Sequence, residues 1–283
     1  MDLTAKTLYH GNCHCGRYRF QVFVPNIQSA ISCTCRLCKK KAYLWLIPGE
    51  KDFTVVRDEG NLTIYESPTL RDQFCSSCGT GVVGEHTSGP LRGRFCVNIR
   101  ALQGVNPFEL DPSTALVETA EPTDGPKLGL ELFSHPSAQQ ICSCHCGKVY
   151  AELLVPVHSQ QKLGEDNCSS CARIGYIGVY PTKDQVNIHG EENTFEYLYG
   201  RKYTGITFCK TCGVHVFSNV HGPPSSKIDE IPADRREDFI SLYIKTMNLQ
   251  PLNVRAIESI DMESLNIERD DEGTEGYELE QIS

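Results

Sequence analysis

Three cysteines, Cys33, Cys35 and Cys38, lie within the stretch SCTCRLC, close enough for their thiolates to reach one metal ion. A structural zinc site takes four protein ligands, whereas a catalytic site takes three and leaves the fourth position to water or substrate. The stretch therefore predicts an open zinc site. The alternative is a second structural site completed by Cys96 or His86, although a lone cysteine in the strand-like run RFCVNIR is more often a buried small apolar residue.

Two further pairs of cysteines have the spacing of a structural zinc site. Cys13 and Cys15 belong to a Cys-His-Cys-Gly motif, and Cys75 and Cys78 belong to a Phe-Cys-x-x-Cys-Gly motif. Two such pairs close a tetrahedral site of four thiolates, which stabilises a small β domain by joining distant segments. Both motifs return later in the chain. They predict a second structural site at Cys144, Cys146, Cys209 and Cys212.

The returning motifs belong to an internal repeat. The segment NCHCGRYRFQVFVP at 12–25 returns as SCHCGKVYAELLVP at 143–156, and FCSSCGTGV at 74–82 returns as FCKTCGVHV at 208–216. The two copies are offset by 131 residues at the first motif and 134 at the second. A repeat of this length is typical of tandem domains, because the units of a solenoid run only about 20–50 residues.

A composition change between the copies places the boundary. The segment GVNPFELDPSTALVETAEPTDGPKLGLELFSHPSAQQ is rich in proline, serine, threonine and acidic residues and shows little periodicity. We therefore predict a first zinc domain with its linker at 1–136 and a second, degenerate copy at 137–267. The acidic remainder, 268–283, is predicted to be a disordered tail.

The second copy differs from the first at the three-cysteine stretch. It reads EDNCSSC, so Asp166 takes the place of Cys33, while Cys168 and Cys171 match the other two cysteines. Carboxylate is a competent zinc ligand, and a weak site of Asp166 with the two cysteines is one prediction. The favoured prediction is that this copy has lost its metal, because replacing a thiolate weakens a soft-ligand site. Cys142 is a spare thiol of unassigned role.

Charge and composition argue against several classes of protein. The 283-residue chain carries a net charge of −9, which disfavours a surface that follows nucleic-acid phosphates. The stretch MDLTAKTLYHGN lacks the apolar core of a signal peptide, and no segment approaches the length of a membrane span. Fifteen cysteines fit metal ligation better than disulfides in a reducing compartment. We predict a cytoplasmic protein without nucleic-acid or membrane partners.

The elements that position these cysteines are predicted to be short β-strands. Tyr18–Val24 and Val149–Val155 carry alternating β-favouring residues bounded by glycine and proline. Further strand candidates are Tyr43–Ile47, Phe53–Val56, Leu62–Tyr65, Phe95–Ile99, Ile240–Ile244 and Val254–Ile257. Helical periodicity is weak, with one short turn predicted at 232–238. The predicted fold class is all-β, with small, mainly antiparallel domains stapled by zinc.

The order of the motifs resembles one known family, the glutathione-dependent formaldehyde-activating enzymes and centromere protein V. The family pattern is Cys-x-Cys-Gly, then Cys-x-Cys-x-x-Cys, then Phe-Cys-x-x-Cys-Gly, and all three parts stand in order within 13–79. The resemblance implies a mainly antiparallel β fold with one structural and one catalytic zinc. By residue match it places the structural metal at the two outer pairs and the catalytic metal at Cys33, Cys35 and Cys38.

The resemblance also implies carbon–sulfur lyase chemistry. Such an enzyme joins or splits a thiol such as glutathione and an aldehyde such as formaldehyde, with another sulfur-containing metabolite as a further candidate substrate. Arg36 and Lys39, beside Lys40 and Lys41, could bind the carboxylates of glutathione, and the alternative for each is ordinary solvated surface charge. The competing function is a non-catalytic zinc module that binds a protein partner. The intact three-cysteine stretch favours the enzyme.

Overall fold

The strands fall into two halves with the same arrangement. The computed structural model describes residues 5–111, 115–119, 137–158, 161–258 and 260–273. In these residues each half contains one three-stranded and one seven-stranded sheet. The strands pair antiparallel except at one edge of each larger sheet. The predicted fold class, mainly antiparallel β, is therefore confirmed.

In the first half, the smaller sheet contains β1 (Lys6–Asn12), β2 (Tyr18–Pro25) and β5 (Phe53–Asp58), in the order β1-β2-β5. The larger sheet contains β3 (Ile31–Cys33), β4 (Trp45–Leu46), β6 (Leu62–Glu66), β7 (Leu70–Cys75), β8 (Gly81–His86), β9 (Phe95–Asn98) and β10 (Ala115–Val117). Its order is β10-β3-β4-β9-β8-β7-β6. A short helix, α1 (Arg36–Lys40), follows β3.

In the second half, the smaller sheet contains β11 (Gln140–Ser143), β12 (Tyr150–Leu153) and β15 (Val186–His189). The larger sheet contains β13 (Lys162–Asp166), β14 (Ile177–Val179), β16 (Thr194–Tyr197), β17 (Thr204–Cys209), β18 (His215–Val220), β19 (Leu252–Asn253) and β20 (Asn266–Asp270). Its order, β20-β13-β14-β19-β18-β17-β16, repeats that of the first half strand for strand. The helices are α2 (Ser169–Ile174), α3 (Ser225–Asp229) and α4 (Ala233–Met247).

Strand β2 shows why the sequence forms these sheets. Its side chains alternate between the core and the outer face, and Tyr18, Phe20, Val22 and Val24 are all buried. A period of two is what a half-buried strand requires, and Pro25 then ends the pairing because it has no N–H to donate. Predicted strands at 53–56, 62–65 and 95–99 correspond to β5, β6 and β9.

Two predicted strands are wrong. Ile240–Ile244 lies inside the fifteen-residue helix α4, in which no residue is buried. The same helix extends far beyond the short turn predicted at 232–238. Val254–Ile257 begins with a 3₁₀-helix at Val254–Ala256, which the side chain of Asn253 caps by accepting a hydrogen bond from the N–H of Arg255.

The domain boundaries are only partly within the described residues. Position 136 falls outside them, so the division at 136 stays a prediction. The predicted acidic tail begins later than position 268, because residues 268–270 pair with β13 as the end of β20. From 274 onwards the tail lies outside the described part of the chain. Among the described helices, none combines the length and apolar character needed to cross a bilayer.

The two halves pack against each other through reciprocal contacts. Gly79 has φ +72°, and a Cβ built there would lie 2.3 Å from the ring of Phe208. Gly213 has φ +68°, and its Cβ would lie 2.6 Å from the ring of Phe74. Each glycine follows the second cysteine of a Cys-x-x-Cys pair, so the phenylalanine of each half packs on the Cys-x-x-Cys turn of the other.

Candidate metal centres

The first group of four cysteines is assembled by two turns of the first half. Cys13 and Cys15 follow β1, and Cys75 and Cys78 lie at the end of β7. Their four Sγ atoms lie within 4.8 Å of one another, and all four thiols are free and buried. The Cys13–Cys15 and Cys15–Cys75 sulfur distances are 3.6 and 3.7 Å. Sulfurs at the corners of a tetrahedron around zinc, with Zn–S bonds of about 2.3 Å, would be about 3.8 Å apart, so the group fits zinc.

The second half repeats this group. The sulfurs of Cys144, Cys146, Cys209 and Cys212 also lie within 4.8 Å of one another. The Cys144–Cys146 and Cys146–Cys209 sulfur distances are both 3.5 Å. In each group a backbone N–H donates to the first sulfur at 3.3 Å, from Tyr18 to Cys13 and from Val149 to Cys144. The same N–H groups would donate to each sulfur as a metal-bound thiolate.

The three-cysteine group lies between β3 and α1. Cys33 ends β3, while Cys35 and Cys38 stand at the start and in the middle of α1. The three sulfurs lie within 4.8 Å of one another, and the residues are only 5%, 0% and 1% exposed. Hydrogen bonding with Cys33 raises the pKa of Cys35 to about 11, whereas hydrogen bonding with Cys35 and Cys38 lowers the pKa of Cys33. Burial also raises the pKa of Cys38, so the three thiols share their protons unequally, with Cys33 the one stabilised as the anion.

Trp45, Thr119 and His86 cover this group. The indole Nε1–H of Trp45 donates to the Cys38 sulfur at 3.3 Å, and the Thr119 hydroxyl lies 3.4 Å from the Cys33 sulfur. His86 Nε2 lies 3.9 Å from the Cys38 sulfur. The sequence offers His86 only as one alternative ligand, and it gives no sign of Thr119, which reaches the group through the parallel β10–β3 pairing.

Cys96 and Cys142 lie outside the four groups. The Cys96 sulfur is 3.7 Å from His86 Nδ1, on the side of the ring away from Cys38, and burial raises its pKa to about 12. The Cys142 thiol donates to the backbone carbonyl of Asn253 at 3.4 Å, and burial raises its pKa to about 12 as well. Both remain protonated near neutral pH and behave as small buried residues.

A fourth group contains Asp166, Cys168 and Cys171, whose ligand atoms lie within 4.8 Å of one another. All three residues are half-buried. The N–H of Cys168 donates to Asp166 Oδ1 at 2.7 Å, which fixes the carboxylate beside the thiols. A hydrogen bond with Cys171 lowers the pKa of Cys168 to about 7. The structure therefore brings together the three residues of the second-copy stretch.

The cations beside the three-cysteine group are bound within the protein, apart from Lys39, which is exposed. Arg36 forms an ion pair with Glu258 at 2.6 Å and donates to the carbonyl of His145 at 3.2 Å. Lys40 is buried against Glu258 (3.0 Å) and two backbone carbonyls. Lys41 is buried against Asp72, and the role of solvated surface charge is wrong for both lysines. Carboxylate binding by Arg36 and Lys39 stays a prediction.

The histidine inside each Cys-His-Cys turn contacts the other half. His14 Nδ1 lies 2.7 Å from the Tyr197 hydroxyl, and its Nε2 lies 2.9 Å from the Ser169 hydroxyl. His145 Nδ1 lies 2.9 Å from the Tyr65 hydroxyl. Burial lowers the pKa of His14 to about 3 and that of His145 to about 4, so both rings are neutral at pH 7. Each Cys-His-Cys turn is thus held by hydrogen bonds between its neutral histidine and a strand of the other half.

The buried imidazole of His215, in the second half, should make the stability of the protein depend on pH. Its Nδ1–H donates to the carbonyl of Thr207 at 2.9 Å, and burial lowers its pKa to about 4. The unfolded chain takes up this proton near pH 6.5, so the free energy of unfolding falls as the pH drops from 6.5 towards 4. From pH 7 to pH 5 we expect a loss of about 2 kcal/mol from this residue.

Urea unfolding at both pH values measures this loss. The His215→Gln variant carries no titrating ring at this position, so its stability should depend less on pH than that of the unsubstituted chain by that amount. An equal pH dependence of stability in both proteins would contradict the lowered pKa of His215.

Thiols gathered into groups by the turns of a β fold are typical of the class of proteins that ligate metals through cysteine. Residues 8–116 match the family model of the glutathione-dependent formaldehyde-activating enzyme. The chain belongs to this family. It is also similar to a Rhodobacter sphaeroides protein of known crystal structure, with 30% sequence identity and a TM-score of 0.33. That match covers 39% of this chain and 99% of the other.

Proposed function

We propose that this protein is a zinc-dependent carbon–sulfur lyase acting on thiol–aldehyde adducts, with its reactive zinc at Cys33, Cys35 and Cys38. The observation that carries the proposal is the number of sulfurs. Two groups gather four cysteines each, whereas this one gathers three, which leaves a ligand position for a substrate. The family name supports glutathione and formaldehyde as the pair to test first.

The reaction joins the thiol sulfur to the carbonyl carbon, and the thiol proton ends on the carbonyl oxygen as S-hydroxymethylglutathione forms. Zinc at this place would supply a Lewis acid and a site for a thiolate. The indole N–H of Trp45 and the backbone N–H of Cys35 donate to the Cys38 and Cys33 sulfurs, which limits the negative charge on the ligand set. His86 can hold the travelling proton at Nε2, beside Cys38.

The proposed protein has two tandem copies of the family domain, at residues 1–136 and 137–267. The repeated strand order supports this division. Arg36 and Lys39 bind the carboxylates of glutathione, for which Arg36 would share its guanidinium with Glu258. The cytoplasm is the proposed location, because thiol ligands must stay reduced.

Exchange between formaldehyde, glutathione and S-hydroxymethylglutathione, followed by NMR, tests the reaction. The zinc-loaded protein should accelerate the exchange, and Cys38→Ser should return it to the uncatalysed rate because the zinc loses a ligand. His86→Gln should slow it by about 100-fold, the usual contribution of a proton-transfer group. Cys142→Ser is the matched control, since that buried thiol lies outside every metal group. No acceleration by fully zinc-loaded protein would overturn the proposal.

Burial of the three-cysteine group favours one competing function, a non-catalytic zinc module that binds a protein partner. Trp45 and His86 are both 0% exposed and cover the Cys38 sulfur, as they would in a closed structural site. In that case Cys38→Ser should unfold the first half. A folded Cys38→Ser protein that has lost only its activity would exclude this alternative.

A further inference from the structure

The second half contains a cavity of about 480 Å³. Cys168 and Cys171 of the fourth group line one part of it. Four tyrosines contribute to the remaining wall: Tyr176, Tyr180, Tyr199 and Tyr203. A volume in this range suits a small organic ligand. The half-buried thiols of the fourth group therefore face space that a ligand can enter, unlike the covered thiols of the first half.

The cavity is open because two covering side chains of the first half are replaced. Trp45 pairs with Asn98 across β4 and β9, and Gly178 pairs with Asn253 at the equivalent place across β14 and β19. Glycine therefore stands where the indole covers Cys38 in the first half.

The imidazole that lies beside Cys38 is replaced as well. His86 pairs with Leu70 in the first half, and Val220 pairs with Thr204 at the equivalent place in the second. Val220 and His215 both line the cavity. Cys171, the counterpart of Cys38, thus has neither an indole nor an imidazole from these two positions above it.

The donor set at the cavity suits a metal with an open position. Two thiols and one carboxylate lie within 4.8 Å of one another, and such three-ligand sets leave at least one position for an external ligand. Thiolate ligands favour soft or borderline metals such as zinc and attract a further thiolate from a ligand. Asp166 is fixed toward the thiols by the N–H of Cys168. With Asp166 in place of a third cysteine, the three ligand atoms still lie together, but they form a different ligand set.

The remaining wall indicates the rest of the ligand. The Tyr199 hydroxyl lies 2.5 Å from the Ser170 hydroxyl, so its ring is held in place beside the thiols. Ile174 and Ile206 add apolar surface, while the exposed Arg201 and Lys202 lie at the solvent side. Aromatic and apolar walls favour a ring or an alkyl group, and paired cations favour a carboxylate.

We propose that Asp166, Cys168 and Cys171 hold a second reactive-type zinc, whose open position takes the thiolate of an organic thiol that carries an aromatic ring and a carboxylate. The ring occupies the tyrosine-lined cavity, and the carboxylate meets Arg201 and Lys202. This site goes beyond the proposed lyase site in the first half and does not depend on it.

Counting the bound zinc ions tests whether Asp166, Cys168 and Cys171 hold a metal. Native mass spectrometry of the zinc-loaded full chain should show one zinc fewer in the Cys168→Ser/Cys171→Ser double variant than in the unsubstituted protein. Asp166→Ala should lower the affinity for that one zinc in competition with a chelator and leave the others in place. An unchanged zinc count in the double variant would overturn the proposal.

A binding experiment tests whether this metal takes an organic thiol. The protein is the cobalt-loaded full chain, and the probe is 3-phenyl-2-sulfanylpropanoate. Binding should change the sulfur-to-cobalt charge-transfer absorption and should be measurable by calorimetry without any aldehyde. Failure of the lyase reaction would therefore leave this result unaffected. 3-Phenyllactate, which has a hydroxyl in place of the thiol, and 2-sulfanylpropanoate, which lacks the ring, should each bind at least about 10-fold more weakly, a difference of about 1.4 kcal/mol.

Filling the cavity should block the probe and spare the metal. Gly178→Trp restores the covering residue of the first half, and the ring of Tyr180 must move to admit it, because a Cβ there would lie 2.4 Å from the Tyr180 hydroxyl and 2.7 Å from the ring. We expect an unchanged metal count and binding weakened by at least about 10-fold. If Gly178→Trp does not fold, Leu249→Trp fills the cavity from the half-buried residue after α4. Unchanged probe affinity in the folded variant would overturn the placement of the ligand.

Discussion

The Cys75→Ser variant is expected to lose one zinc and to fail to fold. Zinc binding to structural sites of this kind is worth about 10–16 kcal/mol in small peptides, which equals or exceeds the whole stability of an ordinary domain, about 5–15 kcal/mol. Cys75 lies in the core with 0% exposure, and its sulfur is 3.7 Å from that of Cys15 on the other turn. Serine offers no thiolate, so the two turns lose the bond that joins them.

Far-UV circular dichroism and the fluorescence of Trp45, the single tryptophan, report this unfolding. Loss should extend to the second half, because Phe208 packs against the turn that contains Cys78 and Gly79. Cys142→Ser serves as the control, since it also removes a buried thiol but one that belongs to none of the four groups. A folded Cys75→Ser protein with the full complement of zinc would contradict the assignment of this group.

The second large effect is expected from Lys41→Ala, at about 3–5 kcal/mol of lost stability. The Lys41 Nζ atom lies 2.6 Å from Asp72, and the two side chains are 5% and 0% exposed. Tyr43 donates a further hydrogen bond to Asp72 at 2.5 Å. Removing the ammonium would leave a carboxylate buried without its counter-ion, and that uncompensated charge is the source of the loss.

Denaturant unfolding measures this loss, and an exposed ion pair gives the matched control. Lys6 contacts Asp52 at 2.7 Å, but the two side chains are 38% and 19% exposed, so Lys6→Ala should cost less than about 1 kcal/mol. The Lys41→Met/Asp72→Asn double variant removes both charges and should recover part of the stability. Similar losses in Lys41→Ala and Lys6→Ala would show that burial does not set the strength of the pair.

The grouping of the cysteines could be predicted from the sequence because each pair is local. Cys13 and Cys15 are separated by one residue and Cys75 and Cys78 by two, so each turn brings its own pair together whatever the rest of the chain does. The repeat of both motifs then indicated which pairs combine. Strand β2 was equally readable, since Tyr18, Phe20 and Val22 alternate with polar residues and all three are buried.

Helix α4 shows where local patterns fail. The run Ile-Ser-Leu-Tyr-Ile at 240–244 alternates like a strand, but it belongs to a helix whose residues are exposed or half-buried throughout. Ile240, Leu242 and Ile244 are 40%, 63% and 62% exposed. Because no buried face imposes a period of 3.6 on the sequence, hydrophobic periodicity cannot reveal this helix.

The surroundings of the three-cysteine group could not be predicted for a different reason. The charge on Arg36 and Lys40 is balanced by Glu258, which lies on the other half of the chain. Cys38 is covered by Trp45 and His86 from two different strands. These contacts depend on how the halves meet and on sheet register, and neither property is contained in a short motif.

The reciprocal contacts between Phe74 and Gly213, and between Phe208 and Gly79, are those of a two-fold interface carried within one polypeptide. In a homodimer, every substitution appears at both symmetry-related places, so an interface must stay complementary to itself. Here each place is encoded separately. His14 can therefore contact a serine on α2 while its counterpart lies beside an arginine on α1, and the indole of one half can be glycine in the other. Covalent fusion thus permits two unlike groups of candidate metal ligands on one symmetric scaffold.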